Sequence, residues 1–323
     1  MPPEWAVHAR CWMAWPVREA SWGSGSEDAR LAYAEVAQAI ARFEPVTMIV
    51  QPEFVATASL YCGPGITVLP MEHDDSWVRD TGPCFLTGTS GELAGVAWTF
   101  NGWGEARPDY ARDARVAGRI LDHVGARRYA GGLVLEGGAV QVDGDGTCIA
   151  ATGAILDPKR NPGCSREEAE AKLCAALGVT VVIWLPAGLG STVADVARFA
   201  RPGAVLALSS DDKADADYSR LAENLDVLRA ATDARGRSLE VLPVAQPKAR
   251  QGRDGQCPPV SHLSFYLANG ALIVPRFGDG TDSSAAKILT TAWPERELVP
   301  VDALAIVAGG GGIHAITLGQ PAV

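Results

Sequence analysis

VARFARPGAVLALSS, residues 196–210, decides the fold. A short apolar run, VARFA, meets a Pro-Gly turn and returns as a second apolar run, AVLAL, which is the pattern of a β-hairpin. The same form recurs in GPCFLTGTSGELAGVAWTF (82–100), GGAVQVDGDGTCIAAT (137–152) and LSFYLANGALIVPRF (263–277), and a terminal variant stands in GGIHAITLGQP (311–321). An unusual short motif lies just before or within the first strand of each unit. Its anchors are Asp80, Glu136, Ala194, His262 and His314, separated by 56, 58, 68 and 52 residues. A unit of one hairpin and one helix cannot bury its own apolar face, so five units packed around an axis are the natural solution. Motifs at equivalent points of each unit then converge on one axial site. A generic α/β sandwich with similar-looking hairpins is the alternative.

Between the hairpins, apolar residues recur at three and four positions in residues 27–43, 109–125, 165–178, 217–234 and 282–293, which predicts helices, several of them capped by Asp or Ser. Strand runs follow at 45–50, 179–186 and 238–244. The polar stretch PKARQGRDGQCPP (247–259) reads as one long surface loop. Without a low-complexity linker, the expectation is a single α/β domain over residues 1–323.

Composition removes several classes of function. The chain is 47% hydrophobic with a formal charge of −10, so it can bury a large core and lacks the basic surface of a nucleic-acid binder. No apolar run has the length of a membrane span, and the N-terminal stretch shows no export signal. The seven cysteines are irregularly spaced with no CxxC pair, which reads as reduced thiols in a cytoplasmic protein. Five histidines with no HxxxH or HxH pair give no metal site, and no phosphate loop or dinucleotide fingerprint stands between a strand and a helix, so no cofactor is expected.

The motifs themselves resemble the agmatine deiminase and bacterial peptidylarginine deiminase family. The matching stretches are EWAVHARCWMAWP (4–16), HDDSWVRDTGP (73–83), FNGWG (100–104), LVLEGGAVQVDGDGT (133–147), LDPKRNP (156–162), VARFARPG (196–203), ANGALIVPRFGD (268–279) and GGGGIHAITLGQP (309–321), in family order from one end to the other. The resemblance implies the pentein-type pseudo-fivefold α/β propeller, in agreement with the repeat. It also implies a chemistry in which paired carboxylates hold a planar guanidinium, a cysteine thiolate attacks its central carbon, and a histidine moves the protons.

Carried over position by position, the resemblance divides. Trp77 and Asp80 match the guanidinium-side aromatic and carboxylate, and Glu136 matches the acidic residue of the second unit. Thr192 stands at the family's histidine position, Ala194 at its aspartate and Ala315 at its cysteine. The preceding loop is also shorter. Trp77, Asp80, Glu136, Thr192, Ala194 and Ala315 are thus the expected substrate-binding set. Asp80, Glu136, His314 and His262 are the candidate catalytic groups. Asp80 and Glu136 also have structural readings, as a turn cap and as a partner of nearby backbone, and His314 has one as a packed neighbour of the site. Ser191 and Thr192 can donate hydrogen bonds but lack a base to act as nucleophiles.

Three functions follow. One is altered, non-thiolate chemistry, acid–base or cyclising, on a small amine- or guanidine-bearing molecule in specialised biosynthesis. Another is a catalytically silent binding or regulatory protein that keeps the pocket. The third is an agmatine deiminase with a displaced nucleophile drawn from Cys84, Cys11 or Cys257. A homo-oligomer is compatible with all three.

Overall fold

The computed structural model describes residues 1–186, 188, 192–248 and 260–323. They build five small sheets, four of three strands and one of four. Four units share one plan. In the first, Cys84–Thr87 pairs antiparallel with Leu93–Thr99, the chain crosses through the helix Val116–His123, and Arg127–Val134 returns parallel to Leu93–Thr99. The second repeats this with Val140–Val142, Thr147–Ala151, the helix Arg166–Leu177 and Val181–Leu185. The third uses Ala197–Arg201, Ala204–Ser209, the helix Tyr218–Ala230 and Glu240–Ala245. The fourth uses Tyr266–Ala268, Ala271–Arg276, the helix Thr281–Ala292 and Glu297–Asp302.

The fifth unit differs from the sequence expectation. GGIHAITLGQP contributes only one strand, Leu318–Pro321, and its antiparallel partner is His8–Ala14 from the other end of the chain, with Trp12 opposite Leu318. The helix Ser26–Ala41 then leads to Val46–Val50, parallel to His8–Ala14, and Ile66–Pro70 adds a fourth strand. The two chain ends therefore complete one unit and close the ring. No local pattern could show this pairing, because its partners lie some three hundred residues apart and no turn joins them.

Local chemistry accounts for the boundaries. Ser165 and Glu168 form a reciprocal capping box at the start of Arg166–Leu177, and Gly178, with φ 70°, ends it in the left-handed region. The predicted helix over 109–125 is only Val116–His123, preceded by a tight turn at Asp113–Arg115. The reason is Asp113, whose buried carboxylate receives the backbone N–H groups of Asp74 (2.8 Å) and Asp75 (3.2 and 3.1 Å). A residue that must fill those donors cannot also continue the helix, and the bond fixes the segment that leads into Trp77 and Asp80. The loop expected at 247–259 lies almost wholly outside the described residues. Among the described residues no helix is long and apolar enough to cross a membrane.

Candidate functional site

Trp77 opens the short helix Val78–Thr81, which places Asp80 at the head of the first unit, buried. Asp80 Oδ1 accepts the backbone N–H of Gly138 at 3.2 Å, and Oδ2 accepts the indole N–H of Trp103 at 2.9 Å. The glycines of Leu-Glu-Gly-Gly permit this approach by their missing side chains. A Cβ on Gly138 would stand 2.8 Å from Asp80 Oδ1, and one on Gly137 would stand 2.3 Å from the Arg79 carbonyl oxygen. Trp103 sits in the tight turn of FNGWG with φ 59°, an uncommon conformation for a bulky residue. Asn101 Oδ1 accepts the Gly104 N–H at 2.9 Å and holds that turn.

These residues face a cavity of about 240 Å³. Trp77 and Trp103 supply its aromatic walls, Asp80, Thr192 and Asp195 its polar groups, and Ala315 lines it beside Gly309–Gly311. Arg107 also lines it. The glycine run lets backbone lie flat on indole rings. A Cβ on Gly309 would meet Trp22 at 2.2 Å and one on Gly311 would meet Trp77 at 2.6 Å, while Trp22 and Trp77 stack with centroids 5.5 Å apart. Of the described glycines in this run, Gly310 alone has a positive φ, so close packing rather than turning explains most of it.

Asp195 is the site residue that sequence reasoning passed over. Ala194, the expected substrate contact, is fully buried and does not line the cavity, whereas the next residue, Asp195, does line it. Asp195 Oδ1 is buried, and the Ser264 side chain is the hydrogen-bonding group nearest its carboxylate. Burial pushes the Asp195 carboxyl up to about 7, with the Ser264 hydrogen bond and then Arg198 pulling it down and Asp80 adding to the rise. Asp80 is also raised, by burial first, against the opposing pull of Trp103, Gly138, Arg79 and Arg160. Two buried carboxylates thus stand beside two indole side chains, groups whose chemistry suits a planar cation.

Other expected groups lie elsewhere. Glu136 does not line the cavity. Arg160 Nε donates to both of its oxygens, at 2.8 and 3.0 Å, and burial pushes the carboxyl up to about 7 while Arg160 opposes. His314 points away, its Nε2 2.8 Å from Glu4 Oε1, and burial with the nearby Arg79 and Arg198 lowers it to about 3. It is therefore neutral at ordinary pH, and it does not line the cavity where it was expected. His262 is likewise outside this cavity. It lines a separate cavity of about 190 Å³, with Nε2 3.0 Å from Thr281 Oγ1. His262, Asp279 and Asp282 lie close enough to hold a metal ion, but Asp282 already receives the N–H groups of Phe277 and Gly278, and Asp279 that of Thr281.

The family pattern of Porphyromonas-type peptidyl-arginine deiminases matches residues 1–321. The agmatine deiminase of Stutzerimonas stutzeri is 41% identical over 350 residues, covering 100% of this chain and 95% of its own. That of Pseudomonas fluorescens is 39% identical over 350 residues, with the same coverage of 100% and 95%. The solved agmatine deiminase of Enterococcus faecalis, described as catalysing its reaction, superposes with a TM-score of 0.95 at 33% identity, over 100% of this chain and 95% of that one. The chain belongs to the peptidyl-arginine deiminase family, among agmatine deiminases. Its five-unit ring is the pentein α/β propeller of that family.

Within this deiminase-family site, the described residues that line the cavity include no thiol. Cys84 receives the Trp98 indole N–H at 3.2 Å, and burial raises it. It lines a small separate cavity of about 40 Å³, and Cys11 is wholly buried in the fifth unit and pushed up further. Neither is poised as a thiolate. Ser191 and Cys257 fall outside the described residues. Trp103 and Asp195 had a signal in the sequence, an aromatic flanked by two glycines and an acid one step from an expected acid. What the sequence lacked was the direction in which each side chain points.

Proposed function

We propose that the axial cavity binds a small guanidine- or amine-bearing cation, its charged end between Asp80 and Asp195 and its plane against Trp77 and Trp103. The observation that carries this reading is that two buried carboxylates, Asp80 and Asp195, line one cavity together with Trp77 and Trp103. A desolvated carboxylate costs several kcal/mol unless a cation or a proton meets it. The family's agmatine deiminases suggest agmatine as the first ligand to try. At Ala315 no thiolate forms, and Thr192 cannot exchange a proton near neutral pH, so the ordinary covalent route does not run through these two positions. Chemistry on the bound cation is acid–base work by Asp195, whose carboxyl near neutrality can take up or release a proton.

Calorimetric titration with agmatine, arginine and simple amines tests the binding. Saturable binding of a guanidine that is lost in Asp195→Ala is the expected result, and a wild-type protein that binds none of them sinks the reading.

A second reading is favoured by relatives alike over their full length: agmatine hydrolysis by a displaced nucleophile, for which Cys257 is the remaining candidate. Ammonia release from agmatine above about 0.1 per second, abolished in Cys257→Ser, establishes it. Release at background assigns the chain to binding or altered chemistry.

A further inference from the structure

Next in sequence to several of the cavity's residues lies a second charged cluster that the proposed function does not use. Glu4, in the segment before the first strand, is its centre. Arg79 Nη1 lies 3.0 Å from Glu4 Oε1, His314 Nε2 lies 2.8 Å from the same oxygen, and Arg198 Nη2 donates to Oε2. Gln141 Nε2 approaches Oε1 at 3.4 Å. Arg198 in turn donates to the carbonyl oxygens of Leu263 (2.9 Å) and Phe265 (3.0 Å) at the start of the fourth unit. One carboxylate thus joins side chains of the first, second, third and fifth units, and through Arg198 it holds the fourth.

The partners are also the neighbours in sequence of the cavity residues. Arg79 precedes Asp80, His314 precedes Ala315, and Arg198 stands three residues after Asp195. The Arg79 backbone N–H donates to the Ala315 carbonyl oxygen at 3.1 Å, which ties the loops of the first and fifth units to each other. We propose that Glu4 is a positioning residue of the axial site, a single carboxylate that gathers the five units from behind and fixes the loops carrying Asp80, Asp195 and Ala315. The inference rests on the reading of that cavity as a cation site.

The arrangement has an electrical consequence. Two arginines face one carboxylate, and His314 is neutral, so the cluster carries one net positive charge behind the acidic cavity. Asp80 is faced by Arg79, Arg160 and Glu136, Asp195 by Ser264, Arg198 and Asp80, and Arg107 lines the same space. Glu4 offsets part of the field of Arg79 and Arg198. Removing its charge leaves both arginines free to act on the two aspartates, which stabilises their ionised forms.

The test is a carboxyl carbon NMR titration of Asp80 and Asp195 in the full-length protein and in Glu4→Gln, with resonances assigned from Asp80→Asn and Asp195→Asn. Both midpoints are expected to fall in Glu4→Gln, by about one unit, the low end of what a nearby cation exerts. Agmatine titrated at pH 6 and pH 8 should then show a smaller pH dependence in Glu4→Gln than in the wild type. Glu4→Asp keeps the charge and should return both midpoints most of the way. Should Glu4→Gln fail to fold, Glu4→Asp, which withdraws the carboxylate by one methylene, is read for a smaller fall in the same direction. Midpoints that stay or rise in a folded variant overturn the proposal. The NMR readout needs no ligand, so a wild type that binds no agmatine but shows the shift sinks the cation-site reading alone.

Discussion

Arg160 Nε lies 2.8 and 3.0 Å from the two carboxylate oxygens of Glu136, and Arg160 Nη1 reaches Asp157 Oδ2 at 2.7 Å. The acid of Leu-Glu-Gly-Gly thus spends its lone pairs on an arginine from LDPKRNP, which ties the second unit's motif to the loop after its hairpin. Glu136→Ala strands a buried guanidinium and is expected to cost about 3–5 kcal/mol of stability. Urea denaturation measures it. A loss below about 1 kcal/mol, together with abolished ligand binding, would return Glu136 to ligand contact.

Asp80 and Asp195 are expected to share one cation. Asp80→Ala and Asp195→Ala should each weaken agmatine binding by about 2–5 kcal/mol. Because they act on one ligand, the double variant should lose less than the sum of the two. Full additivity in calorimetry would place the two residues on separate ligands.

Asp195 gives the site a pH dependence. Its carboxyl near 7 stands above the ordinary value of 3.8, so the folded, ligand-free protein holds a proton that the unfolded chain has released across that window. Ligand-free stability should therefore fall as pH rises from about 4 to about 7. Asp113 and Glu136, also raised to about 7 by burial, act in the same direction. Cation binding needs the ionised form, so agmatine affinity should rise through the same window and level off above it. Thermal melts with and without agmatine from pH 4 to pH 8 would show both slopes, and ligand stabilisation strongest at pH 4 would refute this account.

Gly138→Ala adds a Cβ that would stand 2.8 Å from Asp80 Oδ1 and 3.3 Å from Thr192 Oγ1, at a peptide whose N–H donates to that same carboxylate. Displacing Asp80 is expected to weaken agmatine binding at least tenfold and to cost about 1–3 kcal/mol of stability. Unchanged affinity in a folded variant would mean that Asp80 does not contact the ligand.

Ala315→Cys is expected to release no ammonia from agmatine above background. The thiol would lack an imidazole, because Thr192 lines the cavity where the family resemblance calls for one. Ala194→Asp should not help, since Ala194 is fully buried off the cavity and a carboxylate there would enter the core. Turnover in Ala315→Cys alone, followed by coupled ammonia assay, would show that the missing sulfur was the sole obstacle.

Four of the five units were legible in the sequence because each hairpin is made of neighbouring residues with a turn between them, and the period of their motifs followed from the chain. So was the convergence of Asp80, Thr192 and Ala315 on one cavity, which needed only the repeat and the family resemblance. Side-chain direction was not legible. Asp195 faces the cavity while Ala194 does not, and His314 turns to Glu4 while the adjacent Ala315 faces the cavity. Adjacent residues in such turns point to opposite sides, and which side is inward depends on what the other units bring against them. The same holds for Glu136, whose carboxylate is paired with Arg160, and for the fifth unit, which exists only when the strand His8–Ala14 meets Leu318–Pro321. Local pattern sets the elements, because hydrophobic period and turn chemistry act between near neighbours. Only the closed ring decides which charges face one another, because Coulombic and hydrogen-bond partners are chosen by distance in space.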